Sequence, residues 1–331
     1  MTEPTGTKRR LFTRRRFLVA GGSLVAVGGL GFGGYVSYGY RQRFGRSALD
    51  VIPDHRVDLP IVIPRMVVAR GGDPAVNVRA AIERLGGMRN LLTPEDTILI
   101  KPNIGWQRPP EHAANTHPDV VAEIVRLCRE VGPKRVIVTD CPIRKSRAAF
   151  EWSGIGEASA AAGAEVIIPE DSSYRTVKIS ERLGAWDILE PFVTATKIIN
   201  VPVAKSHNLM GSAAGMKNWI GITTKLRYLF HNDIDASIAE LALLMRPTLT
   251  VIDATRVLMH GGPAGGSIGA VNPYGAVAAG FDPVALDAWA TSIFPSSIGS
   301  PPEYLRIAER MGLGSADFRS LQAPEIITGN A

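Results

Sequence analysis

Two lysines, a histidine and two glycines lie close together in one segment of this chain. They are Lys205, His207, Gly211, Gly215 and Lys217. We predict a loop here, because the segment follows the apolar run 197–203 and glycine is favoured where backbone bends sharply or approaches a ligand closely. Lysine near backbone N–H groups suits phosphate or carboxylate, and a partly desolvated lysine also serves as a base or forms a Schiff base. The segment predicts an anion site, with Lys217 as the anion contact and His207 as acid/base group or metal ligand.

Other polar residues follow apolar runs elsewhere in the chain. Lys101 ends the run TILIK and Asn103 follows it, Asp140 follows RVIVT, and Asp253 follows TLTVI. The carboxyl ends of parallel strands meet at one edge of a sheet, where open α/β folds bind ligands. We therefore expect the predicted catalytic and ligand-binding residues to converge there. The catalytic set is His207, Lys217, Lys205, His117 and Asp253, and the ligand-binding set is Lys101, Asn103, Gly211, Gly215 and Asn218.

A divalent metal is a second interpretation of the same residues. His117, His207, His231 and Asp140 supply the donors of a site with two histidines and a carboxylate, although no spacing is a known chelating one. The structural alternative is that His117 and His231 cap helices and that the aspartates make turns or caps. No Walker spacing and no Cys-x-x-Cys is present, which excludes a cysteine-ligated iron–sulfur cluster and leaves the cofactor unknown.

Apolar periodicity predicts the elements that must position these groups. Strand-like runs are 65–69, 97–101, 135–140, 165–168, 197–203, 248–253 and 276–279, and helix-like runs are 74–85, 118–131, 156–163, 234–245, 283–294 and 301–311. This alternation favours an α/β fold, with a mainly parallel sheet and helices on both faces. Asp282 and Pro283 have the residue types of a helix start, whereas Asp287 falls in an otherwise apolar helix face. The stretch 172–189 fits a small hairpin or an insertion.

An ordered set of short motifs resembles the DUF362 family, a large uncharacterised family of bacterial and archaeal proteins. The matching pieces are 101–103, 116–118, 205–221, His231, 251–253, 262–263 and 282–287. They extend over roughly residues 60–295 in the expected order. The resemblance implies a single α/β domain and no established reaction. Some members also carry a ferredoxin-like segment with cluster-binding cysteines, a pattern from which this chain departs.

The positive charge of the chain is concentrated at its N-terminus. The net charge is +6, yet residues 1–47 contain nine Lys or Arg against Glu3, which leaves 28 basic and 30 acidic residues in the remainder. The globular part therefore has no excess positive field, and nucleic acid is excluded as a partner. Residues 13–18, TRRRFL, have the form of a twin-arginine export signal, and an apolar run follows to Val36.

These features predict three regions: a twin-arginine signal or membrane anchor over residues 1–39, a linker over 40–60, and a DUF362-like α/β domain over 61–331. The expected partners are the twin-arginine export machinery, the membrane and an anionic small molecule, and the domain faces the extracytoplasmic side. The leading hypothesis is an enzyme acting on that anion. The alternatives are a non-catalytic anion- or metal-binding or assembly factor, and a membrane-tethered structural partner.

Overall fold

Alternating apolar side chains place the central sheet between two layers of helices. In strand Thr97–Pro102, Ile98 and Ile100 pack into one buried cluster, whereas Leu99 packs into another on the opposite face. Successive side chains of a strand point to opposite faces, so both faces of this strand are covered. The first cluster includes helices Pro74–Arg84 and Pro118–Arg129, and the second includes helix Ile234–Met245.

The structure, a computed structural model, describes residues 49–60, 62–223, 226–295 and 301–329. The helices are α1 Pro74–Arg84, α2 Pro118–Arg129, α3 Ser146–Trp152, α4 Ile155–Ala161, α5 Pro191–Thr194, α6 Ile234–Met245, α7 Pro283–Ser292 and α8 Glu303–Arg310. The strands are β1 Met66–Arg70, β2 Thr97–Pro102, β3 Arg135–Val138, β4 Glu165–Val166, β5 Tyr174–Ser180, β6 Gly184–Leu189, β7 Lys197–Val201, β8 Val203–His207, β9 Gly211–Ala213, β10 Leu249–Leu258, β11 Val271–Asn272, β12 Ala276–Gly280 and β13 Glu325–Ile327. Two 3-10 segments, Met216–Ile222 and Arg227–Asp233, complete the site region.

The main sheet is mostly parallel, which confirms the predicted fold class. Its strand order is β13-β1-β12-β10-β7-β2-β3-β4, and β12 runs antiparallel to both of its neighbours. Strand β2 pairs in parallel with β3 and β7, so the carboxyl ends of these three strands lie side by side. Strands β5 and β6 form a separate antiparallel hairpin within the stretch 172–189.

Two predictions about strand ends are wrong. The run 197–203 is broken at Pro202, which has no N–H for the ladder, so Lys205 and His207 lie in strand β8 rather than in a loop. Asp253 lies inside β10, paired with Val203 on one side and Val277 on the other. The run TLTVI therefore does not end at Asp253, because β10 continues to Leu258.

The predicted signal or anchor, residues 1–39, lies outside the described residues. Residues 49–60, the second part of the segment expected to be a linker, belong to the same compact unit as the domain, with Ile52 and His55 buried. Across the part of the chain that the structure describes, no helix has the length and apolar character needed to cross a membrane.

Candidate functional site

A buried ion pair joins the ends of strands β2 and β3. The Nζ atom of Lys101 lies 2.5 Å from Oδ1 of Asp140, and Oδ2 of Asp140 accepts a 2.6 Å hydrogen bond from the N–H of Ile104. Burial lowers the pKa of Lys101, although the neighbouring carboxylate opposes this shift. Since each charge has its partner, the pair anchors the edge of the sheet rather than offering a free group to a ligand.

A network of amide side chains extends from this pair to a second lysine. Oδ1 of Asn218 lies 3.3 Å from the Lys101 ammonium and accepts a 3.0 Å hydrogen bond from Asn103. The Lys205 ammonium donates to Oδ1 of Asn103 at 2.9 Å and to the carbonyl of Ala114 at 2.6 Å. Lys101, Asn218, Asn103 and Lys205 are therefore linked in one series of hydrogen bonds, although they come from separate parts of the chain.

The network borders a cavity of about 480 Å³. Its charged and imidazole lining groups are Lys205, His207, Lys217, Arg227, His231 and Asp140. Asp140 is the one carboxylate among the described lining residues, and it is already paired with Lys101. The cavity therefore carries an uncompensated positive charge, as an anion site requires.

Lys205 and Lys217 both have pKa values below that of an ordinary lysine. Burial, together with the charge of Lys217, lowers the pKa of Lys205 to about 7. Burial and the nearby Arg227 lower the pKa of Lys217 to about 8. Within the described ranges, Lys217 has no carboxylate or carbonyl partner, whereas Lys205 has two hydrogen-bond acceptors. Lys217 is thus a partly buried amine that can gain or lose a proton near neutral pH.

His207 is a neutral hydrogen-bond donor in this setting. Its Nδ1 accepts a 3.3 Å hydrogen bond from the N–H of Leu209, so the neutral ring carries its proton on Nε2. Burial and the charges of Lys217 and Lys205 lower the pKa of His207 to about 3. A group that stays neutral at pH 7 suits contact with an anion better than the acid/base role expected from the sequence.

Asp287 positions the segment that carries Lys217 and Asn218. Its Oδ1 accepts a 2.7 Å hydrogen bond from the N–H of Gly215, and its Oδ2 accepts from Met216 at 3.1 Å. A Cβ added to Gly215 would lie 2.7 Å from Oδ1 of Asp287, which explains the glycine there. In the sequence, Asp287 stands out as a charged residue on an otherwise apolar helix face. Nothing in the sequence identifies the backbone of Gly215 and Met216 as its partner.

Gly211, another predicted ligand-binding residue, does not line the cavity. It adopts a φ of 73°, in the left-handed region that favours glycine, at the start of β9. Its function is therefore the turn that returns the chain antiparallel to β8.

His117 and Asp253 lie together, but they do not line the cavity. Oδ2 of Asp253 accepts a 2.7 Å hydrogen bond from the N–H of His117, and Oδ1 accepts two from Thr255. Nδ1 of His117 accepts from the N–H of Asp119 and so caps helix α2. His117 therefore caps a helix, as the structural alternative stated. Asp253 makes neither a turn nor a helix cap, because it lies inside β10.

The donor set of the cavity does not fit a divalent cation. Among the described residues, no group of three His, Cys, Asp or Glu side chains is placed to hold a metal ion. His207 and His231 line the cavity beside lysines, and Asp140 is neutralised by Lys101. Positive neighbours oppose a metal and favour an anion.

Arg227, Trp106 and Tyr228 also line the cavity and were not predicted. The guanidinium of Arg227 donates a 2.5 Å hydrogen bond to the carbonyl of Cys141, which places Arg227 beside the end of β3. Arg227 lies four residues before His231, a predicted metal candidate, and this was the signal for Arg227 that the sequence offered.

Fold and site together define an α/β protein with a cationic cavity at the carboxyl edge of a mainly parallel sheet. The chain belongs to the DUF362 family, a domain of unknown function, whose family model matches residues 98–292. The matched range includes every cationic residue of the cavity. A thylakoid-associated protein of Synechocystis sp. is 27% identical over 250 residues, which cover 73% of this chain and 76% of that protein.

Among solved structures, the lactate racemase apoprotein from Thermoanaerobacterium thermosaccharolyticum aligns with a TM-score of 0.33 and 13% sequence identity. The alignment covers 64% of this chain and 56% of that chain, so this chain spans little more than half of that protein's length. A score this low supports no inference about function.

Proposed function

We propose that this protein is an enzyme that binds an anionic small molecule in the cationic cavity and moves a proton to or from it. The observation that carries the proposal is Lys217, an amine without an acidic partner among the described residues, beside Lys205 and Arg227. An uncompensated, partly buried cation is costly unless something pairs with it. A bound anion supplies that pairing.

The lining residues have different roles in the proposed reaction. Lys205 and Arg227 are fixed by their own hydrogen bonds to Asn103 and Cys141, so they hold the charge of the ligand. His207 donates from Nε2. Lys217, with a pKa of about 8, is the group that takes up or returns the proton, because efficient proton transfer needs a pKa near the working pH.

The place of action that we propose is the extracytoplasmic side of a membrane, with the N-terminal segment as anchor. The support is the twin-arginine form of residues 13–18 and the apolar run behind it. The printed name of the Synechocystis relative, thylakoid-associated, is compatible with a membrane location. The export machinery would then be a transient partner of residues 1–39.

Sulfate binding tests the anion site, because sulfate keeps its charge across neutral pH. We expect isothermal titration at pH 6.5 to show one bound sulfate, and Lys217→Met to weaken it at least tenfold (about 1.4 kcal/mol). Lys134→Met is the matched control, since Lys134 is an exposed lysine paired with Glu95 outside the cavity. Equal sulfate affinity in Lys217→Met and the wild-type protein would remove Lys217 from the site.

Deuterium exchange tests the proton transfer. Pyruvate, glycolate and phosphonoacetate are incubated with the protein in D₂O, and NMR follows the loss of the signal of the C–H group next to the ketone of pyruvate or next to the carboxylate of the other two. We expect exchange of at least one probe, and its loss in Lys217→Met. Tight sulfate binding without exchange of any probe would favour the non-catalytic binding protein instead.

A further inference from the structure

The cationic cavity opens through a rim of exposed apolar side chains. Ile143, Leu209 and Tyr228 all line the cavity, with exposed fractions of 47%, 70% and 59%. Single exposed apolar residues are ordinary on a protein surface, but three around one opening form a patch that indicates binding.

Burial of the lining groups follows the reverse of the usual order. Lys205 and His207 are only 5% and 6% exposed, while the apolar rim faces solvent. Water ordinarily solvates the charges and apolar groups are covered. The cost of burying the charges and the cost of exposing the apolar rim both fall if one ligand places charge at the bottom of the cavity and hydrocarbon at its mouth.

We propose that the ligand is a single-chain amphiphile. Its anionic head group binds Lys205, Lys217 and Arg227, and its hydrocarbon chain covers the apolar rim of Ile143, Leu209 and Tyr228. The inference rests on the proposed anion site and adds the chemical class of the ligand. A small polar anion would leave the rim in water and would gain nothing from it.

A second cavity provides space for the hydrocarbon chain of the ligand beyond the rim. It has a volume of about 260 Å³ and shares Gly105, Trp106 and Ile143 with the first cavity. The two cavities are therefore adjacent, with these three residues between them. Arg108 and Arg144 also line the second cavity, where their aliphatic stems can pack along hydrocarbon.

Two ligands with the same head group test the inference. Methyl sulfate and decyl sulfate, the latter below its micelle concentration, are titrated calorimetrically into the full protein. We expect one site for each, with decyl sulfate bound at least about thirtyfold more tightly, since every methylene that leaves water adds to the affinity. Equal affinities overturn the amphiphile and leave the anion site intact, whereas no binding of either ligand overturns the anion site itself.

Rim variants separate specific binding from adsorption of a surfactant. Leu209→Ser combined with Tyr228→Ser should reduce the decyl-to-methyl affinity ratio at least tenfold and leave methyl sulfate affinity unchanged. Ile327→Ser is the matched control, because Ile327 is 63% exposed and lies on β13, outside the cavity lining. A ratio that survives the double variant, or falls equally in Ile327→Ser, overturns the proposal.

Discussion

Two groups of charged and imidazole residues, one around Asp253 and one lining the cavity, differ in how their charges are satisfied. In the group around Asp253, the carboxylate accepts hydrogen bonds from His117 and Thr255 and lies 3.4 Å from Arg256. In the cavity group, Lys217 faces Arg227 and Lys205 with no carboxylate of its own among the described residues.

The comparison shows why residue type alone does not mark a functional site. A histidine and an aspartate in contact are the usual members of a catalytic pair, yet His117 and Asp253 use their polar atoms on backbone and capping bonds. A folded protein tolerates an unpaired buried charge only when a ligand or other function compensates it. Unsatisfied charge, rather than the presence of His or Asp, identifies the cavity.

The largest expected effect comes from a third arrangement, the buried pair of Lys101 and Asp140. Lys101→Met leaves the Asp140 carboxylate buried with the N–H of Ile104 as its main partner, so we expect a loss of about 3–5 kcal/mol in the free energy of unfolding. Urea denaturation measures it. Lys134→Met, on the surface, should change it by less than about 0.5 kcal/mol. A Lys101→Met protein as stable as the wild type would show that the pair contributes little.

Next in size is the group around Asp253. Asp253→Ala leaves the donors of His117 and Thr255 without their acceptor, and we expect a loss of about 2–3 kcal/mol in stability. Sulfate affinity at pH 6.5 should stay within twofold of the wild-type value, because Asp253 does not line the cavity. A tenfold weaker sulfate affinity in a folded Asp253→Ala protein would erase the distinction between the two groups.

The pH dependence of sulfate binding sharpens the comparison further. Sulfate affinity should fall as pH rises through 7 to 8, because Lys205 and Lys217 lose their protons there, and bound sulfate extends the loss to higher pH by raising both pKa values. The Lys217→Met variant should show a shallower decline. A flat profile from pH 6 to 9 would contradict the assigned amines.

The same two pKa values determine whether the free energy of unfolding of the ligand-free protein rises or falls with pH. Both lie below the 10.5 of an unperturbed lysine, so the folded protein binds fewer protons than the unfolded chain between pH 7 and 10.5. The contribution of these groups to the free energy of unfolding therefore rises with pH across that window. Urea midpoints at pH 7 and 9, compared with those of the variant lacking Lys217, measure this contribution.

The smallest expected effect is that of metal removal. Dialysis against EDTA should leave sulfate affinity unchanged within twofold, because the cations around His207 oppose a divalent metal. Elemental analysis before and after dialysis is the companion measurement. A stoichiometric metal whose loss abolishes sulfate binding would restore the metal interpretation of His207 and His231.

The sequence by itself determined the fold class, most element positions and some of the site residues. Helix 234–245 was predicted with its observed ends, and Asp282 accepts from the N–H groups of Val284 and Ala285 as a cap should. The approach of Lys101 to Asp140 followed from the ends of two parallel strands meeting at one edge. These features depend on local periodicity and on the direction of parallel strands, both of which are recorded in the order of residues.

Only the tertiary structure decided which polar residues remain available to a ligand. Asp253 and Asp140 look alike in sequence, because each follows an apolar run. In the structure, Asp253 lies inside the ten-residue strand β10, whereas Asp140 pairs with Lys101. Arg227 joins the cavity and Asp287 supports it from distant parts of the chain. The physical reason is that charge is satisfied or left unsatisfied by neighbours in space, and those neighbours are fixed only when the sheet and its helices pack.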